Sequence, residues 1–212
     1  MKNRKIPIII ASSLLAVVLS AGIIFAQAID QTAQPQVVEY KGAKDAFGKN
    51  LIVVFSLTGN TLKLAKIIQL KTGGSIFEIK TKTTYPTGDE LIPFAKAQRD
   101  QKETVEFEEP LPDLAEYDTI FLGTPVWFHE VPYPLSVFLA ECDFKGMPVI
   151  PFVTSGGGPG DVVASLRGSI KDADIKEALL ISRYTTRPIQ EIENYVNSWL
   201  NPLAAAREAK AE

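Results

Sequence analysis

The 212-residue chain is 46% hydrophobic and 22% charged, an ordinary globular composition, neither disordered nor fibrous. Its formal net charge is -3; setting aside Lys2, Arg4 and Lys5 at the N-terminus leaves 19 basic against 25 acidic residues, near -6, which gives no electrostatic reason to seek nucleic acid. One cysteine, Cys142, and one histidine, His129, exclude an intramolecular disulfide and a cysteine-held metal cluster and argue against a His/Cys zinc site.

In chain order, Met1 to Lys5 is basic and Ile6 to Phe25 almost wholly apolar. Ala26-Gln27-Ala28 then offers a small-x-small cleavage pattern before polar Asp30-Gln31-Thr32. This is the three-part design of a secretory signal. The apolar stretch is also long enough to span a bilayer, so an uncleaved anchor over residues 6–25 is the alternative. Both readings place the rest of the chain outside the cytoplasm, periplasmic or extracellular, with membrane contact only through this segment if uncleaved. Residues 1–28 are thus assigned as signal or anchor and 29–49 as a tether.

Leu51-Ile-Val-Val-Phe55 is a continuous apolar run, as for a strand buried on both faces. Residues 60–71 carry a helical stripe, Leu62, Leu64, Ala65, Ile67 and Ile68, ended by Gly73-Gly74. A strand over 75–79, a helix over 88–101, a strand over 119–122 and a helix over 134–142 follow. Then come a strand over 148–153, a helix over 161–171, a strand over 178–181 and a helix over 188–200 opened by Pro188. Residues 201–212 read as a flexible tail, a frayed helix or disorder. Five strand–helix units in a row predict an α/β, doubly wound parallel sheet over residues 50–200. Ligands of such sheets bind beyond the carboxyl ends of the strands, at the topological switch point.

Three loops stand at those ends. After the first strand, Ser56-Leu57-Thr58-Gly59-Asn60-Thr61 is rich in hydroxyls and reads equally as a capped helix start or as a phosphate cradle of backbone N–H groups. It has no lysine of the P-loop kind. After the third strand, Gly123-Thr124-Pro125-Val126-Trp127-Phe128-His129 places two aromatic residues in a loop, either to plug the core edge or to stack on a ring system. After the fourth strand, Thr154-Ser155-Gly156-Gly157-Gly158-Pro159-Gly160 lets backbone approach a flat ligand closely, unless it is only a flexible loop. A cradle, an aromatic wall and a donor-rich glycine loop together describe a site for FMN.

These residues carry a resemblance. Ser56-Leu57-Thr58-Gly59-Asn60-Thr61 resembles the flavodoxin phosphate-loop pattern (Ser/Thr-x-Thr-Gly-x-Thr). Tyr85-Pro86, Gly123-Thr124-Pro125-Val126-Trp127, Phe138-Leu139 and the stretch from Val149 to Gly157 look like a bacterial, short-chain, flavodoxin-like subfamily, over roughly Leu51 to Leu200. The resemblance implies five strands in the order 2-1-3-4-5 and non-covalent FMN. It implies that Ser56, Thr58, Gly59, Asn60 and Thr61 hold the phosphate. Thr124, Pro125, Val126 and Trp127, with Phe128, would line one side of the ring system, Ser155, Gly156, Gly157 and Gly158 would approach its pyrimidine edge, and Tyr85 would lie nearby. Flavodoxins often place a glycine beside the aromatic wall, where a peptide flip can serve the reduced flavin. Here Phe128 and His129 follow Trp127, and non-glycine residues resist φ > 0 by about 1 kcal/mol or more, which argues against one-electron specialisation.

Three functions follow from this reading. The first is an extracytoplasmic electron carrier serving redox partner proteins. The second is an FMN-dependent reductase of quinones or other small oxidants. The third is a flavin-free binding module on the same fold. No side chain stands out as catalytic. His129 reads as a solvated loop residue or as a proton donor near the ring, and Cys142 as a small hydrophobe.

Overall fold

The computed structural model describes residues 37–170 and 172–211, so the leader expected over residues 1–28 lies outside the described residues. The strands are β1 (Asn50–Phe55), β2 (Ser75–Ile79), β3 (Thr119–Pro125), β4 (Pro148–Ser155), β5 (Asp174–Ile175) and β6 (Leu179–Ser182). The helices are α1 (Asn60–Thr72), α2 (Leu91–Gln101), α3 (Tyr133–Glu141), α4 (Val162–Ser169) and α5 (Ile189–Ala211). All strand pairs are parallel, in the order β2-β1-β3-β4-β5 with β6 also on β4. The α/β doubly wound sheet in the expected order is therefore present.

Alternation along β1 explains the two cores. Ile52 and Val54 face one side with Leu64, Ala65 and Ile68 of α1 and Val196 and Leu200 of α5. Leu51, Val53 and Phe55 face the other with Leu135 and Phe138 of α3 and Leu166 of α4. The period of two turns one apolar run into two buried faces, which is why the strand reads as continuous rather than alternating.

The fifth position of the sheet differs from the single strand expected over 178–181. It is filled by β5 and β6, with register Val149↔Ile175 before the break and Phe152↔Leu179 after it. Ile150 and Pro151 thus stand opposite Lys176, Glu177 and Ala178, one residue in excess, as in a bulge. The cause lies in β4. The Val149 carbonyl accepts from Lys176 N–H at 2.8 Å, so alternate residues of β4, Pro151 among them, turn their backbone groups to this side. Proline has no N–H to give, and the ladder is interrupted where that donor would be needed.

Residues 37–49 and the end of the last helix pack on the fold. The tail expected over 201–212 is helical to Ala211, since α5 continues through Pro202. Ala204 is buried and Leu203 packs on the core. The described part of the tether, residues 37–49, lies against this helix. Asn194 Oδ1 accepts from Val38 N–H at 2.9 Å, and Asn197 Nδ2 donates to the Val38 carbonyl at 2.7 Å. Asn201 accepts from Lys41 N–H at 2.8 Å and donates to the Glu39 carbonyl at 2.9 Å. Spacings of three and four put these asparagines on one stripe of α5, where their amides act toward the extended segment as a neighbouring strand would. Among the described residues no helix is long and apolar enough to cross a membrane.

Candidate functional site

At the carboxyl ends of β1, β3 and β4 lies a cleft of about 160 Å³. Its first wall is the β1–α1 turn. Gly59 caps α1 in the left-handed region (φ 78°) and contributes no side-chain cap. Among the described residues, no carbonyl or side chain accepts from the amides of 57–61. The turn is held from behind instead: Ser56 Oγ accepts from Leu62 N–H at 3.1 Å, and Asn60 Nδ2 donates to Thr58 Oγ1 at 3.1 Å. Thr61 and Thr154 share a buried hydroxyl–hydroxyl bond of 2.9 Å that ties α1 to the end of β4. The result is a set of unspent donors at a helix N-terminus, suited to an anion. Among the described residues, no lysine, arginine or carboxylate lines the cleft.

Pro125, Val126 and Trp127 form the second wall. Trp127 is fixed by edge contacts to Phe55 (5.5 Å between centroids) and to Tyr85 (5.6 Å). Tyr85 is buried behind it, its hydroxyl donating to Gln98 Oε1 at 2.5 Å. Burial pushes the Tyr85 phenol up to about 12. Ser155 and Gly156 form the third wall, and Ser155 Oγ donates to the Gly157 carbonyl at 2.8 Å. A Cβ on Gly156, Gly157 or Gly158 would meet nothing within 4 Å, so packing does not require these glycines.

The structure thus brings together Ser56, Thr58, Asn60, Thr61, Pro125, Val126, Trp127, Ser155 and Gly156 on one cleft. It does not put the other expected residues on its lining. Gly59 shapes the turn from below. Thr124 is fully buried, with its hydroxyl on the Pro125 carbonyl. Tyr85 supports Trp127 from the core side. Gly157 and Gly158 lie beyond the lining, and Phe128 turns away to carry the Arg99 guanidinium 4.8 Å over its ring. His129 is exposed and off the cleft. Burial raises the Cys142 thiol to about 11, which keeps it protonated.

The turn after Trp127 corrects an expectation. Phe128 (φ 51°) and His129 (φ 67°) both adopt the positive φ they were expected to resist. Trp127 and Glu130 exchange backbone bonds of 3.0 and 2.9 Å around them, so the pair forms a two-residue hairpin of the type that demands φ > 0 twice. Neighbours supply what the local preference withholds. Arg99 covers Phe128, and Asp161 N–H donates to the His129 carbonyl at 2.8 Å.

Sequence reasoning missed Leu57, Leu91, Thr154, Tyr184 and Thr185, which also line the cleft. Tyr184 and Thr185 follow β6, and the rule that sends ligands to strand ends could have pointed to that loop as well.

A family model described as flavodoxin matches residues 49–199. No curated protein matches the chain. Among solved structures, a candidate flavoprotein from Bacteroides eggerthii DSM 20697 is similar at 26% identity and TM-score 0.60, covering 74% of this chain and 98% of its own. One from Bacteroides uniformis ATCC 8492 is similar at 27% identity and TM-score 0.58, covering 73% and 98%. The flavoprotein of Lactobacillus acidophilus NCFM, solved in complex with FMN, shares the fold at 22% identity and TM-score 0.55, covering 62% and 92%.

Proposed function

Because the chain belongs to the flavodoxin family, we propose that it binds FMN non-covalently in this cleft and carries electrons between redox partner proteins outside the cytoplasm. The observation that carries the reading is the β1–α1 turn, whose amides have no protein acceptor among the described residues, while Asn60 is bonded to Thr58 and Ser56 accepts from the Leu62 N–H. That donor set fits a phosphate monoester that stays bound: N–H groups and a helix dipole hold it, and no lysine or metal pattern is present to move it. Bound FMN would supply reversible electron transfer at its ring system.

Each wall then has a task. The uncapped amides of 57–61 bind the phosphate. Trp127, braced by Phe55 and Tyr85, offers an apolar surface whose orientation does not need to be set on binding. Gly156, Gly157 and Gly158 leave their backbone open to approach. The basic start, apolar stretch and Ala26-Gln27-Ala28 support export.

The test is an absorption and fluorescence titration with FMN and riboflavin. Quenched fluorescence with tight FMN binding and much weaker riboflavin binding is expected. Absence of binding by either flavin would sink the reading. Steady oxidation of NADH or NADPH by the FMN-loaded protein would move it to a reductase.

A further inference from the structure

Two hydroxyl residues outside the three loops line the cleft, Tyr184 and Thr185, and Tyr184 is the buried one. Tyr184 follows β6, lines the cleft and is 7% exposed. Among the described residues no hydrogen bond reaches its hydroxyl, and the sealed side-chain atom that lacks a partner is Asn197 Oδ1, not this oxygen. The hydroxyl is therefore unsealed and unpaired, on a residue that lines the cleft. A tyrosine that buries its ring ordinarily gives its O–H a partner.

Its placement is fixed. Arg183 takes the left-handed region (φ 52°), reversing the chain after β6. The Arg183 carbonyl accepts from Thr186 N–H at 3.1 Å and from Thr186 Oγ1 at 3.0 Å, and Arg187 Nε donates to the Ser182 carbonyl at 2.8 Å. The Tyr184 ring belongs to the core that holds Leu64 and Ala65 of α1, whereas Trp127 packs with the opposite core. Tyr184 thus stands on the side of the sheet where the uncapped amides open. Burial holds its phenol above the usual value, so it remains a neutral donor.

Resting on the FMN reading above, we infer that the Tyr184 hydroxyl donates a hydrogen bond to the phosphate of the bound flavin nucleotide, making the β6–α5 turn a fourth wall that selects phosphorylated over unphosphorylated flavin. Among the described residues the cradle holds no cationic side chain, so each neutral donor has a large share in that selection.

The experiment titrates the full chain and Tyr184→Phe with FMN and with riboflavin, following flavin fluorescence. The variant should bind FMN roughly tenfold or more weakly, the scale of a bond to a charged acceptor, and riboflavin within about twofold of wild type. Unchanged FMN affinity in the variant, with tight binding by wild type, overturns the inference and leaves the FMN reading standing. Equal weakening of both flavins also overturns it. A wild-type protein that binds neither flavin overturns the FMN reading itself. If Tyr184→Phe loses its cooperative thermal transition, the ¹³C resonance of Tyr184 Cζ in the wild-type chain decides instead. A shift with FMN but not with riboflavin supports the bond, and equal shifts refute it.

Discussion

Tyr85 shows how a residue can serve a site without touching it. It was expected near the ligand and instead sits in a buried stack, edge-on to both Phe94 and Trp127. Its O–H is satisfied by Gln98, which is itself 1% exposed. Burial raises its ionisation to about 12, with the charge of Glu103 adding to the shift. The unfolded chain would release that proton near the ordinary phenol value of about 10, so it binds fewer protons than the folded chain between pH 10 and 12. Stability is therefore intact below pH 10 and falls as pH rises toward 12, with a slope approaching about 1.4 kcal/mol per pH unit for this group. Tyr40, raised to about 12 chiefly by burial, adds to the same decline. Urea denaturation at pH 9 and pH 11 should show this loss, and Tyr85→Phe should flatten it. A variant with the wild-type slope would show that the phenol ionises alike in both states.

At the scale of elements, the loop after β4 does two separable jobs. Gly160 (φ 56°) packs on the Phe128–His129 turn so closely that a Cβ would lie 2.7 Å from His129 Cα and 2.8 Å from its carbonyl oxygen. Gly160→Ala meets both the wrong backbone region and a backbone clash, so it should cost about 2 kcal/mol or more and lower the thermal midpoint by several degrees. Gly157 has open space and no positive φ. Gly157→Ala should leave stability within about 0.5 kcal/mol. If backbone approaches the flavin there, FMN affinity should fall roughly tenfold, about 1.4 kcal/mol. Thermal melts and FMN titrations on the two variants separate the tasks. A Gly157→Ala protein with unaltered FMN affinity would remove that glycine from the site.

For the folded unit as a whole, the flavodoxin match ends at residue 199, and α5 continues beyond it to Ala211. Arg207 Nε donates to the Ala46 carbonyl at 3.2 Å, and Glu208 Oε1 accepts from Ala43 N–H at 3.2 Å, so the last turns hold the segment leading into β1. Phe47 on that segment is fully buried against Phe121. Truncation after Pro202 removes Leu203 and Ala204 from the core surface they cover and deletes these bonds, so it should cost about 2–4 kcal/mol in chemical denaturation. A tail without contacts would be lost at no cost.

Apolar runs, their spacing and the loops between them were enough to determine a doubly wound parallel sheet and most of the cleft, while the strand order came with the flavodoxin resemblance. A strand buried on both faces and a helix with one apolar stripe each leave a local mark, and the doubly wound topology places strand ends together. Ser56, Thr58, Asn60, Thr61, Trp127 and Ser155 were legible for that reason. The tertiary structure alone decided features that depend on partners distant in the chain. Pro151 breaks the neighbouring strand because of the side its missing donor faces. Phe128 and His129 take positive φ because Arg99 and Gly160 hold them there. Asn194, Asn197 and Asn201 become a docking stripe only once residues 38–41 lie alongside, and Tyr184 reaches the cleft only because β6 ends beside β4. Local preference is set by neighbours in sequence, whereas each of these outcomes is set by contacts whose free energy exceeds it.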